Sequence, residues 1–241
     1  MNRRDAWRQP EPKRDLAAEV FSAIAPTYDA ATRILSFGRD RAWKDGLVAS
    51  LPDLPRPVCM DLACGTGDVA ERLAARYPAG RIRAMDLLGA MLDRARRRVA
   101  ATNVEWIQAD LSRLPAPDAS VDLVTGGYAL RNAPDLVPTL RETARVLKPG
   151  GTAAFLDFSK PPQRFVQALE FALLWLWGGL WGLLLHARPS LYTYIAHSLA
   201  AFPDRRLLRE LCARERLRVV ASRRFFFGVT ELLVLRKDDQ R

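Results

Sequence analysis

The sequence predicts an α/β fold in which a mainly parallel sheet carries helices on both faces. Three observations lead there. Between residues 58 and 158 short apolar runs alternate with amphipathic helical patterns, as repeated βαβ units require. The 241 residues suit one large domain with additions and can bury a substantial core. The first three strands each end at or near an acidic residue, Asp61, Asp86 and Asp110, where open parallel sheets receive their ligands.

Taken in order, Leu16, Val20, Phe21 and Ile24 share one helical face until Pro26 stops the run. A second helix is expected over 39–51, and the proline-rich stretch 52–57 is a connector. Strands follow at 58–62, 82–85, 104–107, 121–125 and 153–158, with helices at 69–77, 91–99 and 136–147. Residues 165–185 are unusually apolar, with Glu170 as their one charge. That length could span a bilayer. Gly178, Gly179, Gly182, Gln167 and Glu170 favour instead a buried or membrane-interface helix pair capping the site. The tail reads helix, strand, strand and completes the sheet. The expected organisation is therefore an N-terminal helical segment and connector (1–57), an α/β core (58–160), an apolar helical cap (161–203) and a closing unit (204–241).

Composition limits the partners. The net charge of +10 is carried mostly by arginine, which raises nucleic acid or an anionic membrane surface. Without zinc-finger spacing, an RNP-type aromatic strand or a lysine-rich tail, nucleic acid is not expected. Cys59, Cys64 and Cys212 have no metal-ligand spacing, so neither a metal site nor a disulfide framework is expected. The polar N-terminal stretch lacks the apolar core of a secretory signal, which points to the cytoplasm.

The cofactor signal is MDLACGTGD at 60–68: a strand, a tight loop with Gly65 and Gly67, then a helix. Glycines let backbone approach a ligand closely. Gly65, Gly67 and Ala70 also satisfy the relaxed dinucleotide fingerprint, with Asp86 as ribose ligand. Electrostatics separates the readings. A dinucleotide would set its pyrophosphate on the helix N-terminus between the carboxylates of Asp61 and Asp68, whereas the ammonium and sulfonium of S-adenosylmethionine (SAM) are cations that acidic neighbours favour. Asp86 would hold the ribose hydroxyls and Asp110 the adenine amino group, with the Leu111 amide beside it.

With these positions in view, the chain resembles the ubiquinone/menaquinone biosynthesis C-methyltransferase family from about Val20 to Lys237. YDAATRILSFGRDRAW at 28–43 is similar to the family's N-terminal signature at Tyr28, Asp29, Leu35, Ser36 and Trp43. RVLKPGGTAAFLDFS at 145–159 resembles its second signature, with Asp157 where Glu is usual, and ALRN at 129–132 resembles its substrate-side motif. The resemblance implies a Rossmann-like class I methyltransferase with a seven-stranded sheet whose last strands are reversed. It also implies methylation of a ring carbon on a reduced polyprenyl quinone precursor, either a naphthoquinol or a benzoquinol. By position, the SAM contacts would include Thr66, Asp86, Leu87, Asp110, Leu111 and Gly127, the last where many relatives have Ser. Thr32, Asp40 and His197 depart from the common Asn, His and Glu.

Ring methylation needs a quinol hydroxyl to lose its proton, which calls for a base or a cation that stabilises the phenolate. Arg131 is the candidate cation, because guanidinium stays charged. Asn132 would orient a water or hydroxyl, Tyr28 would line the acceptor pocket, and His197 is the one candidate side-chain base. The apolar stretch would receive the polyprenyl tail and, with the arginines, contact membrane lipid. Two alternatives remain open: another lipid-like acceptor, such as a phospholipid amine or hydrophobic natural product, and a non-catalytic SAM- or lipid-binding subunit.

Overall fold

The computed structural model describes residues 9–239; the polar stretch at 1–8 lies outside them. Helices α1 (Pro10–Ile24), α2 (Tyr28–Leu35) and α3 (Asp40–Ala49) precede the sheet, with a 3-10 turn at Ala25–Thr27 between the first two. The core then runs β1 (Val58–Leu62), α4 (Asp68–Arg76), β2 (Arg81–Asp86), α5 (Gly89–Arg98), β3 (Val104–Gln108), β4 (Val121–Gly127), α6 (Ala129–Asn132), α7 (Leu136–Val146) and β5 (Leu147–Phe158). Two long helices follow, α8 (Arg164–His186) and α9 (Ser190–Ala201), then α10 (Arg205–Arg214), β6 (Leu217–Phe225) and β7 (Thr230–Lys237).

The seven strands form one sheet in the order β3-β2-β1-β4-β5-β7-β6. This is the Rossmann-like methyltransferase fold expected from the sequence. One detail differs: only β7 is reversed. It runs antiparallel to both β5 and β6, so β6 points the same way as the first five strands. β6 must come back along the sheet edge before the hairpin inserts β7 beside β5.

Strand β1 shows why the sheet sits at the centre. Its side chains alternate between two cores, with Met60 and Leu62 against α6, α7 and α10, and Cys59 against α3 and α4. Both faces are apolar because helices cover both, as parallel sheets require. Each burial of a Leu- or Met-sized side chain contributes about 1.5–3 kcal/mol. A third cluster joins Val20 and Ile24 of α1 and Ala31 of α2 to Leu191, Tyr192 and Ile195 of α9. These helices roof the carboxyl end of the sheet. Asp135 and Asp204 cap α7 and α10, each accepting from amides of the first turn.

The apolar stretch is one 23-residue helix, α8, long and apolar enough to cross a bilayer. It is not the buried helix that one reading expected. Phe165, Leu169, Leu173, Leu176 and Leu184 are all exposed. Its glycines serve packing. A Cβ on Gly178 would stand 2.7 Å from the Tyr192 carbonyl, and one on Gly182 2.7 Å from that of Arg188, so they bring α9 and the turn leading into it directly against α8.

Candidate active site

β1 ends in the fully buried Asp61, and the chain then turns through Ala63 (φ 50°), Gly65 (φ 55°) and Gly67 (φ 83°) into α4. The loop is fixed from three sides. The Gly65 amide donates to Asp86 Oδ2 at 2.8 Å, Thr66 Oγ1 donates to Asp29 Oδ1 at 2.7 Å, and Arg98 Nε donates to the Thr66 carbonyl at 2.9 Å. The two glycines have different jobs. Gly65 lines a cavity, but a Cβ on Gly67 would sit 2.6 Å from the Trp106 ring, so Gly67 is required for packing rather than for approach to a ligand.

That cavity lies over the ends of β1 to β4 and is walled by Gly65, Asp86, Leu87, Asp110, Leu111 and Gly127. Six of the nine cofactor candidates thus come together; Asp61, Thr66 and Gly67 lie behind the wall. Asp86 accepts from the Gly65 and Leu88 amides at 2.8 and 2.9 Å, and burial raises its pKa. Gly127 has room for a side chain, since a Cβ there would meet nothing closer than Val69 at 3.4 Å, so a residue as small as Ser would fit.

The electrostatic argument from the sequence needs correction at Asp68. Its carboxylate receives Lys44 Nζ at 2.9 Å and Arg72 at 2.8 Å. Burial pushes its pKa up, but the Lys44 and Arg72 cations outweigh burial and hold it near about 2. Asp68 is therefore already neutralised by cations. Asp61 keeps the argument: one oxygen accepts from Thr125 Oγ1 at 2.8 Å and the other is buried without a partner. Burial lifts it to about 7 despite the Thr125 bond and Lys44. An orphaned buried carboxylate oxygen beneath the loop suits a cationic ligand and would repel a pyrophosphate.

Helix α1 covers this cavity with Arg14, Ala17, Ala18 and Phe21, all missed in the sequence because only docking brings their helix face here. About 80 Å³ remains, well below the roughly 300 Å³ of ordinary small-molecule sites. Arg14 forms an ion pair with Asp110 Oδ2, the group expected to hold adenine. Replacing Arg14 by Ala should therefore tighten SAM binding by up to about fivefold, the worth of one half-exposed pair. Titration calorimetry checks this; weaker binding would make Arg14 a ligand instead.

A second cavity of about 440 Å³ adjoins the first and is overwhelmingly apolar, bounded by α2, α8, α9 and the Phe226 turn. Tyr28, Tyr128 and Asn132 line both cavities. Asn132 Nδ2 donates to the Tyr128 carbonyl at 2.8 Å, which leaves its buried Oδ1 unpartnered at this junction. The Tyr128 hydroxyl donates to Asp40 at 2.8 Å, and Asp40 is in turn paired with Lys44 at 2.6 Å. Asp40, the departure from the family's His, thus belongs to a buried network.

Arg131 also lines the larger cavity and is 1% exposed. Its guanidinium donates to Ser198 Oγ, lies with Nε 3.4 Å from Asp157, and stacks on Phe158 and Tyr194 at 5.0 and 5.5 Å. The Arg131 amide also donates to Asp157, at 2.9 Å. Lys13 stands near enough for burial, then the Arg131 charge, to bring its ammonium down to about 8. His197 lines neither cavity; its ring meets Phe171 edge-on at 6.2 Å, because α9 turns that face to α8. Glu170 was legible only as a lone charge, yet it lines the acceptor cavity with one oxygen unpartnered, and burial raises it to about 7. Among the described residues no cluster of His, Cys, Asp and Glu could hold a metal.

A sheet of this order with such a cofactor cavity defines a SAM-dependent methyltransferase. Geranyl diphosphate C-methyltransferase from Streptomyces coelicolor A3(2) shares the fold with a TM-score of 0.63 at 16% identity, over 83% of this chain and 79% of that one. The chain belongs to the ubiE/COQ5 methyltransferase family, which it matches over residues 10–234. It is 35% identical to the demethylmenaquinone methyltransferase of Deinococcus radiodurans over 225 residues, 92% of each chain. It is 33% identical to the ubiquinone/menaquinone biosynthesis C-methyltransferase UbiE of Desulfotalea psychrophila over 195 residues, 80% of this chain and 78% of that one.

Proposed function

We propose that this enzyme methylates a ring carbon of a reduced polyprenyl quinone precursor, with demethylmenaquinol as the foremost acceptor. The observation that carries the reading is the shared wall: an apolar cavity sized for a ring and the start of a prenyl tail meets the cofactor cavity at Tyr28, Tyr128 and Asn132. The names of the relatives agree with it.

Bound over the glycine loop, SAM supplies an electrophilic methyl group on a sulfonium. The chain's residues prepare the acceptor. Asn132 Oδ1, lacking a partner, accepts the quinol hydroxyl and turns the ring carbon toward the cofactor cavity. Arg131, buried and desolvated, stabilises the negative charge that gathers on that oxygen as its proton leaves. Lys13 adds to the same positive field. The carbon–methyl bond would form as the sulfur–methyl bond breaks; the ring's own proton would then pass to the phenolate oxygen to restore aromaticity, so that the one proton released overall is the hydroxyl's, taken up by water at the cavity mouth. Helices α1 and α2 exclude water from the junction. On the cofactor side, Asp86 holds the ribose and Asp110 with Leu111 the adenine, while Asp61, Gly65, Thr66, Gly67, Leu87 and Gly127 shape and charge the loop beneath.

A tail leaving between α2 and α8, which both line the apolar cavity, would meet lipid, and this supports reading the enzyme as cytoplasmic and peripheral on the inner face of the membrane. To test the acceptor, labelled SAM is offered with demethylmenaquinol, a methoxy-benzoquinol and phosphatidylethanolamine, and the label is located by mass spectrometry. Label on the naphthoquinol ring is expected. Transfer to the benzoquinol alone would move the assignment to that ring, and transfer only to the phospholipid would overturn it.

A further inference from the structure

We infer that the mouth of the acceptor cavity is a docking face for an anionic lipid bilayer, built from the Phe37 and Phe226–Phe227 turns and the outer side of α8. Its use rests on the proposed quinol acceptor, whose tail would stay in lipid while the ring enters the cavity.

The aromatic residues come first. Phe37 stacks on Trp177 of α8 at 4.8 Å and on Phe226 at 5.4 Å, so two tight turns and the helix meet at one rim. All three phenylalanines are left-handed, Phe37 at φ 53°, Phe226 at 50° and Phe227 at 58°, a conformation that bulky side chains seldom adopt. Burial does not compensate the strain, because Phe37 is 56% exposed and Phe227 is fully exposed. Strain held in order to display apolar rings points to an environment that receives them.

Helix α8 continues the same surface. Phe165, Leu169, Leu173, Leu176 and Leu184 are exposed on it. This side offers scarcely any hydrogen-bonding groups, whereas protein interfaces carry about one hydrogen bond per 100–200 Å². The helix lies along the molecule rather than leaving it, because Gly178 and Gly182 seat α9 against it. Crossing a membrane would strip α8 from Leu191, Tyr192 and Ile195, which are buried.

Charge identifies the occupant. Arg33, Arg39, Arg164, Arg188, Arg223 and Arg224 are exposed on the rim segments, and none pairs with a carboxylate among the described residues. The acids within 33–41, 164–190 and 218–229 are Asp40 and Glu170, and both are buried. Exposed apolar rings within a collar of unpaired arginines complement a bilayer with anionic headgroups.

Flotation of the full chain with vesicles of equal parts phosphatidylglycerol and phosphatidylcholine tests this against vesicles of phosphatidylcholine alone. The protein should float with the anionic vesicles and at least tenfold more weakly with the neutral ones. Arg223→Glu with Arg224→Glu should cost at least tenfold at low salt, from about fivefold per arginine, and nothing at high salt. Phe165→Ser, Leu184→Ser and Phe227→Gly together should cost tenfold at either salt. SAM affinity should hold in both variants, which shows that they fold. Binding of either variant as tight as that of the parent chain overturns the proposal, as does failure of the parent chain to float. A parent chain that dimerises through this face, with monomeric variants and no lipid binding, overturns it in favour of self-association. The vesicles contain no quinol, so flotation together with label on phosphatidylethanolamine alone would sink the quinol acceptor and leave the docking face standing.

Discussion

Arg131→Ala is expected to lower kcat about 10²–10³-fold, the usual cost of removing one group that stabilises charge on a reacting oxygen. SAM affinity should stay within about twofold, because Arg131 lines the acceptor cavity and not the cofactor cavity. The substitution also leaves Asp157 buried without its cation. Loss of one member of a buried pair costs about 3–5 kcal/mol of stability, so the variant must be shown to be folded at the assay temperature. Arg131→Lys separates the two effects: it keeps a charge near Asp157 but cannot reproduce the planar fork that reaches Ser198 and stacks between Phe158 and Tyr194. It should melt close to the parent chain while turning over much more slowly. Unchanged turnover at saturating quinol would remove Arg131 from the chemistry.

The same variant carries a pH signature. Burial already raises the Asp157 pKa, with Arg131 opposing it, so removing the guanidinium must raise it further. A carboxyl whose folded-state pKa exceeds its unfolded value binds a proton more readily when folded. Its contribution is therefore present at low pH and is lost as pH rises through the window between the two values. The stability deficit of Arg131→Ala should accordingly shrink as pH falls. Melting curves across that range would read it, and a deficit independent of pH would mean that Asp157 is not the group left without its cation.

Much of the fold could be read because β1 and β4 are short, mostly apolar runs covered by helices on both faces, while β2 and the edge strand β3 showed through their βαβ spacing and the acidic residues at or near their ends. β5 was read only from Ala153 onward, because Lys148, Pro149, Gly150 and Gly151 look like a turn; they are strand, with an irregular register against β4 near Val121. The lone reversal of β7 was not legible either, since strand direction leaves no local trace. The site divides in the same way. Asp86, Asp110, Leu111 and Gly127 stand at strand ends, a position the sequence displays. Arg14 and Phe21 reach the cofactor cavity, and Lys13 the neighbourhood of Arg131, only because α1 folds back over the sheet. The neutralisation of Asp68 was half visible, for Arg72 lies one helical turn away, whereas Lys44 arrives from a separate helix. His197 was chosen for its chemistry alone, and geometry turned it aside.

Asp86→Ala should weaken SAM binding about 10²-fold. Two charge-assisted hydrogen bonds to ribose hydroxyls, at about 1.5 kcal/mol each, come to that figure. Asp86 also holds the Gly65 and Leu88 amides, so a loosened loop alone could depress affinity. S-adenosylhomocysteine distinguishes the causes, because it has the same ribose but no sulfonium charge. If Asp86 binds the ribose, calorimetry should show both ligands losing affinity by the same factor, and the preference between them should be untouched. Asp61→Asn should do the opposite. It preserves the shape beneath the loop but removes the carboxylate whose Oδ2 has no partner, so it should weaken SAM more than S-adenosylhomocysteine, which lacks the sulfonium charge. An unaltered affinity in Asp86→Ala would take that residue out of the site. A changed preference there would mean that its charge is felt at the sulfonium and not at the ribose.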